Sequence, residues 1–126
     1  MVMGTWFTDA TIAFVKEIRS NLENTKEENA KLEEKLHYYE RKRNQCYIAI
    51  EELPDELRKN MYFSCKADKD LLEPVQLDEA FKLLCKRVKD LREQLELGKK
   101  QEDLTADILN ELTNDYYPGI LDEIQD

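Results

Sequence analysis

Glycine and proline are scarce in this chain, with three of each in 126 residues. A fold of many strands and tight turns uses more of both, because turns take glycine for positive φ and proline for a preset φ. Their scarcity favours long uninterrupted helices. Histidine is scarcer still, since His37 stands alone. No glycine-rich phosphate loop and no G-x-S-x-G nucleophile turn is present. Cys46, Cys65 and Cys85 are odd in number, form no C-x-x-C and have no histidine nearby, so a zinc site is not expected. No stretch of about 18 apolar residues exists, which argues against a membrane-spanning helix.

Other chemical patterns fail on inspection. Asp68, Asp70 and Glu79 have the spacing of three calcium-loop ligands. Leu72, however, replaces a ligand, and Glu73 sits where a glycine must make the sharp turn. Glu51 and Glu52 are adjacent and point to different helix faces, so they are no acid–base pair. The expectation is a protein that is not an enzyme, with no cofactor, metal or small-molecule substrate. Unpaired thiols without a secretory signal point to a reducing intracellular compartment, cytoplasmic or nuclear.

What the chain does have is a heptad ladder. Val15, Ile18, Leu22, Thr25, Asn29, Leu32, Leu36, Tyr39, Arg43, Cys46, Ile50 and Leu53 follow one another in steps of three and four, and nine of the twelve are apolar. Residues so spaced share one helix face, and the narrow stripe they draw is the seam of a coiled coil. The ladder predicts a first helix over 11–53, preceded by a cap segment 1–10. There Thr8 or Asp9 caps the helix, and Trp6 and Phe7 fold back as a hydrophobic staple or core side chains, the alternative being an anchor for a partner. Pro54 ends the helix, because it lacks an N–H and clashes with the preceding turn.

A connector over 54–74 follows, with a short helix over 55–61 and an irregular stretch in which Tyr62, Phe63, Leu71 and Leu72 pack against the helices. A second helix over 75–115 starts near Val75, where Asp78 and Glu79 suit the helix dipole. Its seam reads Phe81, Leu84, Val88, Leu91 and Leu95. The next seam positions, Gly98, Glu102 and Thr105, are poor core residues, while apolar spacing resumes at Leu104, Ile108, Leu109 and Leu112. The pattern predicts a break or bend near Gly98. Ile120, Leu121 and Ile124 form a last apolar group in an acidic segment 116–126. At 1.5 Å per residue the two long helices are each roughly 60–65 Å. Two matched stripes predict an all-α antiparallel helical hairpin or coiled coil, with a core thin enough to invite a further helix from another chain.

The seam carries two polar members. Asn29 requires a polar group opposite and penalises any register that denies one, while Arg43 can pack its aliphatic stem with the guanidinium reaching out, or meet a partner's acid. In a parallel self-pair Glu28 would face Glu33 and Lys35 would face Glu40, so charge gives no support for a parallel homodimer. Pairing within the chain or with a different protein is favoured. Charge is also uneven: residues 101–126 hold eight acids and no Lys or Arg, within a net charge of −9. Such a segment repels phosphates, so direct nucleic-acid binding is not expected there, while a basic protein surface would attract it.

The segment Ile108-Leu109-Asn110-Glu111-Leu112-Thr113-Asn114-Asp115-Tyr116-Tyr117-Pro118 closes the second helix. It resembles the point in the centromere protein K family where a coiled coil ends in a leucine-rich, acidic, aromatic-then-proline stretch. The resemblance implies an elongated helical subunit of the inner kinetochore that pairs with other helical subunits. It assigns no functional residue. The function expected is a non-enzymatic coiled-coil subunit of a multiprotein assembly, with a kinetochore or cytoskeleton-linked complex as its most specific form. Its partner contacts would be Leu22, Asn29, Leu32, Leu36 and Tyr39 on the first helix, Phe81, Leu84, Val88, Leu91, Leu109 and Leu112 on the second, and Tyr116 and Tyr117 beyond it. The alternative is a small acidic regulator whose residues 101–126 occupy a basic surface on a target. Removing those residues would then abolish target binding and spare the fold.

Overall fold

The ladder forms one helix, α1 (Asp9–Glu52), in the computed structural model, which describes residues 7–63 and 74–124. None of the twelve ladder positions is exposed. After α1 come α2 (Asp55–Arg58), β1 (Tyr62–Phe63), β2 (Val75–Gln76), α3 (Leu77–Glu111), a π-helical turn over Leu112–Tyr116, and α4 (Ile120–Ile124). The fold is an all-α helical hairpin in which α1 and α3 pack together. Two compact units divide it, Lys31–Leu95 and Met1–Ala30 with Glu96–Asp126. Each holds a stretch of both long helices.

The Lys31–Leu95 unit has a dry apolar seam. Leu36, Tyr39 and Cys46 of α1 meet Leu77, Ala80, Leu84, Val88 and Leu91 of α3, and Leu32, Phe81 and Leu95 pack at its edges. Burying each large side chain contributes about 1.5–3 kcal/mol, and this is what closes the helices on each other. The Cys46 thiol is buried and donates to the Leu77 carbonyl at 3.7 Å. Arg87 lies over the Tyr39 ring, 5.7 Å from its centroid. Arg43 is half-buried on the seam, and its guanidinium donates to Asn44 Oδ1 at 3.4 Å.

The connector is tied by Arg58. Its Nη1 donates to the Ile50 carbonyl at 3.3 Å, its Nη2 reaches Asp55 at 3.0 Å, and Asp78 lies 3.4 Å from Nε. One side chain thus joins the end of α1, α2 and the start of α3. Tyr62–Phe63 pairs antiparallel with Val75–Gln76. Helix α3 therefore starts at Leu77, not Val75, and the Gln76 side chain caps it by accepting from Glu79 N–H at 3.4 Å. Phe63 packs on the core as expected, whereas Tyr62 is exposed. Leu71 and Leu72 lie outside the described residues.

A charged bridge crosses this unit. Arg92 Nη2 donates to Glu40 Oε2 at 2.6 Å, and His37 Nδ1 lies 3.3 Å from Glu40 Oε1. The Arg92 hydrogen bond and charge, with His37 adding to them, hold the Glu40 carboxyl below its ordinary range against the opposing effect of burial. Lower pKa in the folded state means that this contribution is full above the ordinary glutamate pKa and fades as pH falls through the folded value. Arg92 is half exposed, so the bridge is expected to add only about 0.2–1 kcal/mol. Glu40→Gln should cost that much at pH 7 and nothing at a pH well below the carboxylate range. Urea unfolding at the two pH values checks it, and a loss that persists in acid would refute the assignment.

The second unit begins with a capped helix. Thr8 Oγ1 accepts from Thr11 N–H at 3.1 Å, and the Thr8 carbonyl takes the first helical bond from Ile12. Phe7 and Ile12 pack on a small cluster of Val15, Ile120 and Ile124, joined by Leu109 and Tyr117. Trp6 lies outside the described residues. The apolar group at the C-terminal end is thus a docking helix, α4, seated on the start of α1, with Leu121 turned outward. Gly119 makes the turn before it at φ 86°, a backbone state that side chains disfavour.

The expected break near Gly98 is absent, because α3 is one α-helix from Leu77 to Glu111. The seam keeps its phase through Gly98, Glu102 and Thr105, all half-buried, while Leu104 and Ile108 are exposed. The polar residues belong inside because they answer one another. Asn29 is 5% exposed and its Nδ2 donates to Glu102 Oε1 at 2.9 Å. Thr25 and Thr105 satisfy their hydroxyls on the carbonyls of Asn21 and Gln101, each at 2.8 Å.

Gly98 makes room for this layer. A Cβ there would collide with Asn29 Oδ1 and stand 3.1 Å from Asn29 Cγ. Alanine at an unhindered helix position is worth up to about 1 kcal/mol over glycine. Gly98→Ala should therefore destabilise the chain when Asn29 is present and stabilise it by about 0.5–1 kcal/mol in an Asn29→Ala background. The same sign in both backgrounds would show that Asn29 does not rest on the glycine.

Candidate functional site

The hairpin consumes most of the residues that its spacing marks as contacts. Leu22, Asn29, Leu36, Tyr39, Leu84, Val88 and Leu91 are buried within the chain. Leu32 and Phe81 pack at the edge of one core and Leu109 at the edge of the other, and Leu112 is half-buried in the π-helical turn. Side chains spent in this way offer a partner little surface. Tyr117 is half-buried too, its ring edge-on to Phe7 at 6.3 Å. Of the thirteen expected contacts only Tyr116, at 68% exposure, stands in the open.

The apolar surface that remains exposed lies elsewhere. In the unit of Met1–Ala30 and Glu96–Asp126, Leu97, Leu104 and Ile108 are 67%, 61% and 40% exposed. Steps of seven and four put them on one face of α3, turned away from the inward positions 98, 102 and 105. Phe14, on α1, is 49% exposed. Between the helices runs an open groove of about 370 Å³, with Ile18, Asn21 and Thr25 on one wall and Gln101, Thr105 and Ile108 on the other. The inner seam of this unit is thus partly polar, and its outer face carries leucine. The spacing that suggested a phase shift in one seam belongs to a second stripe, and only the burial of Glu102 separates the two.

A second concavity, of about 580 Å³, lies between Phe7, Tyr116, Tyr117 and Pro118, with Asp122 and Glu123 at its rim. The π-helical turn builds it. Tyr117 N–H donates to the Leu112 carbonyl five residues back at 2.7 Å, which rotates the two tyrosines off the helical face. Thr113, buried in that turn, satisfies its hydroxyl on the Leu109 carbonyl at 2.9 Å. His37 is exposed beside Glu40 and adjoins neither concavity. Among the described residues no helix is long and apolar enough to cross a membrane. Comparison with protein-family models, curated proteins and solved structures returns no match for this chain.

Proposed function

We propose that this chain is a non-enzymatic helical subunit that binds helices of other proteins within a larger assembly. The outward stripe of Leu97, Leu104 and Ile108 carries the reading. A helix that folds solely to complete its own hairpin gains nothing by exposing two leucines to more than half while seating Gly98 and Glu102 inside. Exposed apolar side chains at heptad spacing are what a further helix covers. An inner-kinetochore subunit is the most specific form of this proposal, and it rests on the resemblance of Ile108–Pro118 to centromere protein K.

The acidic-regulator reading draws support from exposed Tyr116 beside Asp122 and Glu123. Removal of residues 101–126 does not separate the two readings, because Ile120 and Ile124 anchor the start of α1 and their loss would unfold that unit. The side-chain variant Tyr116→Ala/Asp122→Asn/Glu123→Gln leaves those anchors in place. Purification of the tagged chain under native conditions, with mass by light scattering, tests the proposal. The expected result is a stoichiometric complex with helical proteins that survives the triple substitution. A lone monomer at every stage of purification would sink the subunit reading, and loss of the complex on the triple substitution would favour the regulator.

A further inference from the structure

Resting on the subunit reading, we infer that the groove beside Leu97, Leu104 and Ile108 takes one amphipathic helix of a different protein, with lysine or arginine along both flanks of its apolar stripe. Leu97 to Ile108 spans about 16 Å along α3, three turns, which suits anchors spaced i, i+4 and i+7 on the incoming helix. Ile18 supplies an apolar side chain on the opposite wall. The polar inner layer keeps α1 and α3 together without these side chains, so the groove can fill without opening the hairpin.

Charge chooses the occupant. Exposed Asp107 and Glu111 lie three and seven residues beyond Leu104, and so border its face of α3. Across the groove Glu28 lines the α1 wall. Lys100, the base nearest the stripe, is engaged by Glu96 at 3.6 Å. The rims are therefore acidic on both helices. The same face of a second copy would bring acid against acid, whereas a basic helix gains attraction on both flanks.

The test uses the full chain and two synthetic three-heptad helices with identical leucine stripes, one flanked by lysine and one by glutamate. Binding is followed by fluorescence anisotropy at physiological salt. The lysine probe should bind and the glutamate probe should not. Leu97→Gln/Leu104→Gln, which changes exposed apolar side chains and no charge, should weaken the lysine probe about tenfold or more. Asp107→Lys/Glu111→Lys should reverse the preference between probes. Circular dichroism should show unchanged helicity in both variants, since all four residues are exposed.

Failure of the lysine probe to bind would overturn the inference, as would equal affinity for the two probes or for the leucine variant. A wild-type chain that is dimeric by light scattering and becomes monomeric on Leu97→Gln/Leu104→Gln would make a second copy the occupant. If the native complex forms equally well with that variant, this face is not the docking site, although the subunit reading stands.

Discussion

Leu84→Ala is expected to cost the Lys31–Leu95 unit about 2–5 kcal/mol. Leu84 is fully buried, at the centre of the seam between Ala80, Val88 and the α1 side chains. Truncation removes its transfer free energy and leaves a cavity that two helices, held on both sides by Tyr39 and Leu91, can collapse only in part. Leu104→Ala is the matched control. It lies on the same helix, twenty residues on, but is 61% exposed, and should change stability by less than about 0.5 kcal/mol. Urea unfolding followed by circular dichroism gives both values. Equal losses at the two leucines would mean that the assigned inner and outer faces of α3 are wrong.

Glu102→Ala carries the second large effect. It strips the acceptor from Asn29 Nδ2, and an unsatisfied buried amide costs about 1–3 kcal/mol. Asn29→Leu alone should also destabilise, because it strands the half-buried Glu102 carboxylate. Asn29→Leu/Glu102→Leu removes both partners together, and it should recover wild-type stability or exceed it. Specificity should suffer instead, because no polar pair then penalises the wrong alignment. The double variant is expected to show mixed species by analytical ultracentrifugation where the wild-type chain shows one. Additive losses in the double variant would mean that the two side chains act independently, and that the 2.9 Å bond does not align the helices.

Asn29 also shows how far the residues alone can be read. A seam asparagine demands a polar group opposite, and that demand is visible in the spacing. Which group answers it is not, because Glu102 lies 73 positions away. Glu102 and Gly98 look like failures of the seam until Asn29 is set against them. Without that partner the pattern predicts a break, with Leu104 and Ile108 as the seam resuming. The candidate contacts follow the same logic: the spacing marks a stripe for packing on a helix, and much of that stripe is buried against the chain's own second helix. The connector was legible at Pro54 and at the short helix, but Arg58 gave no signal, since its three contacts come from separate elements.

Local pattern alone determined that the chain is helical, where α1 ends, and which face of each long helix holds its heptad stripe. Those properties depend on neighbours three and four positions apart, and they are written into any single helix. Tertiary structure decided which stripe closes on which, that the polar layer of Asn29, Gly98 and Glu102 faces inward, and that Leu97 and Leu104 face out. A seam is a property of two surfaces. One strand of sequence carries each surface and its spacing, but the match between them arises only when shape, hydrogen-bond partners and excluded volume meet in space.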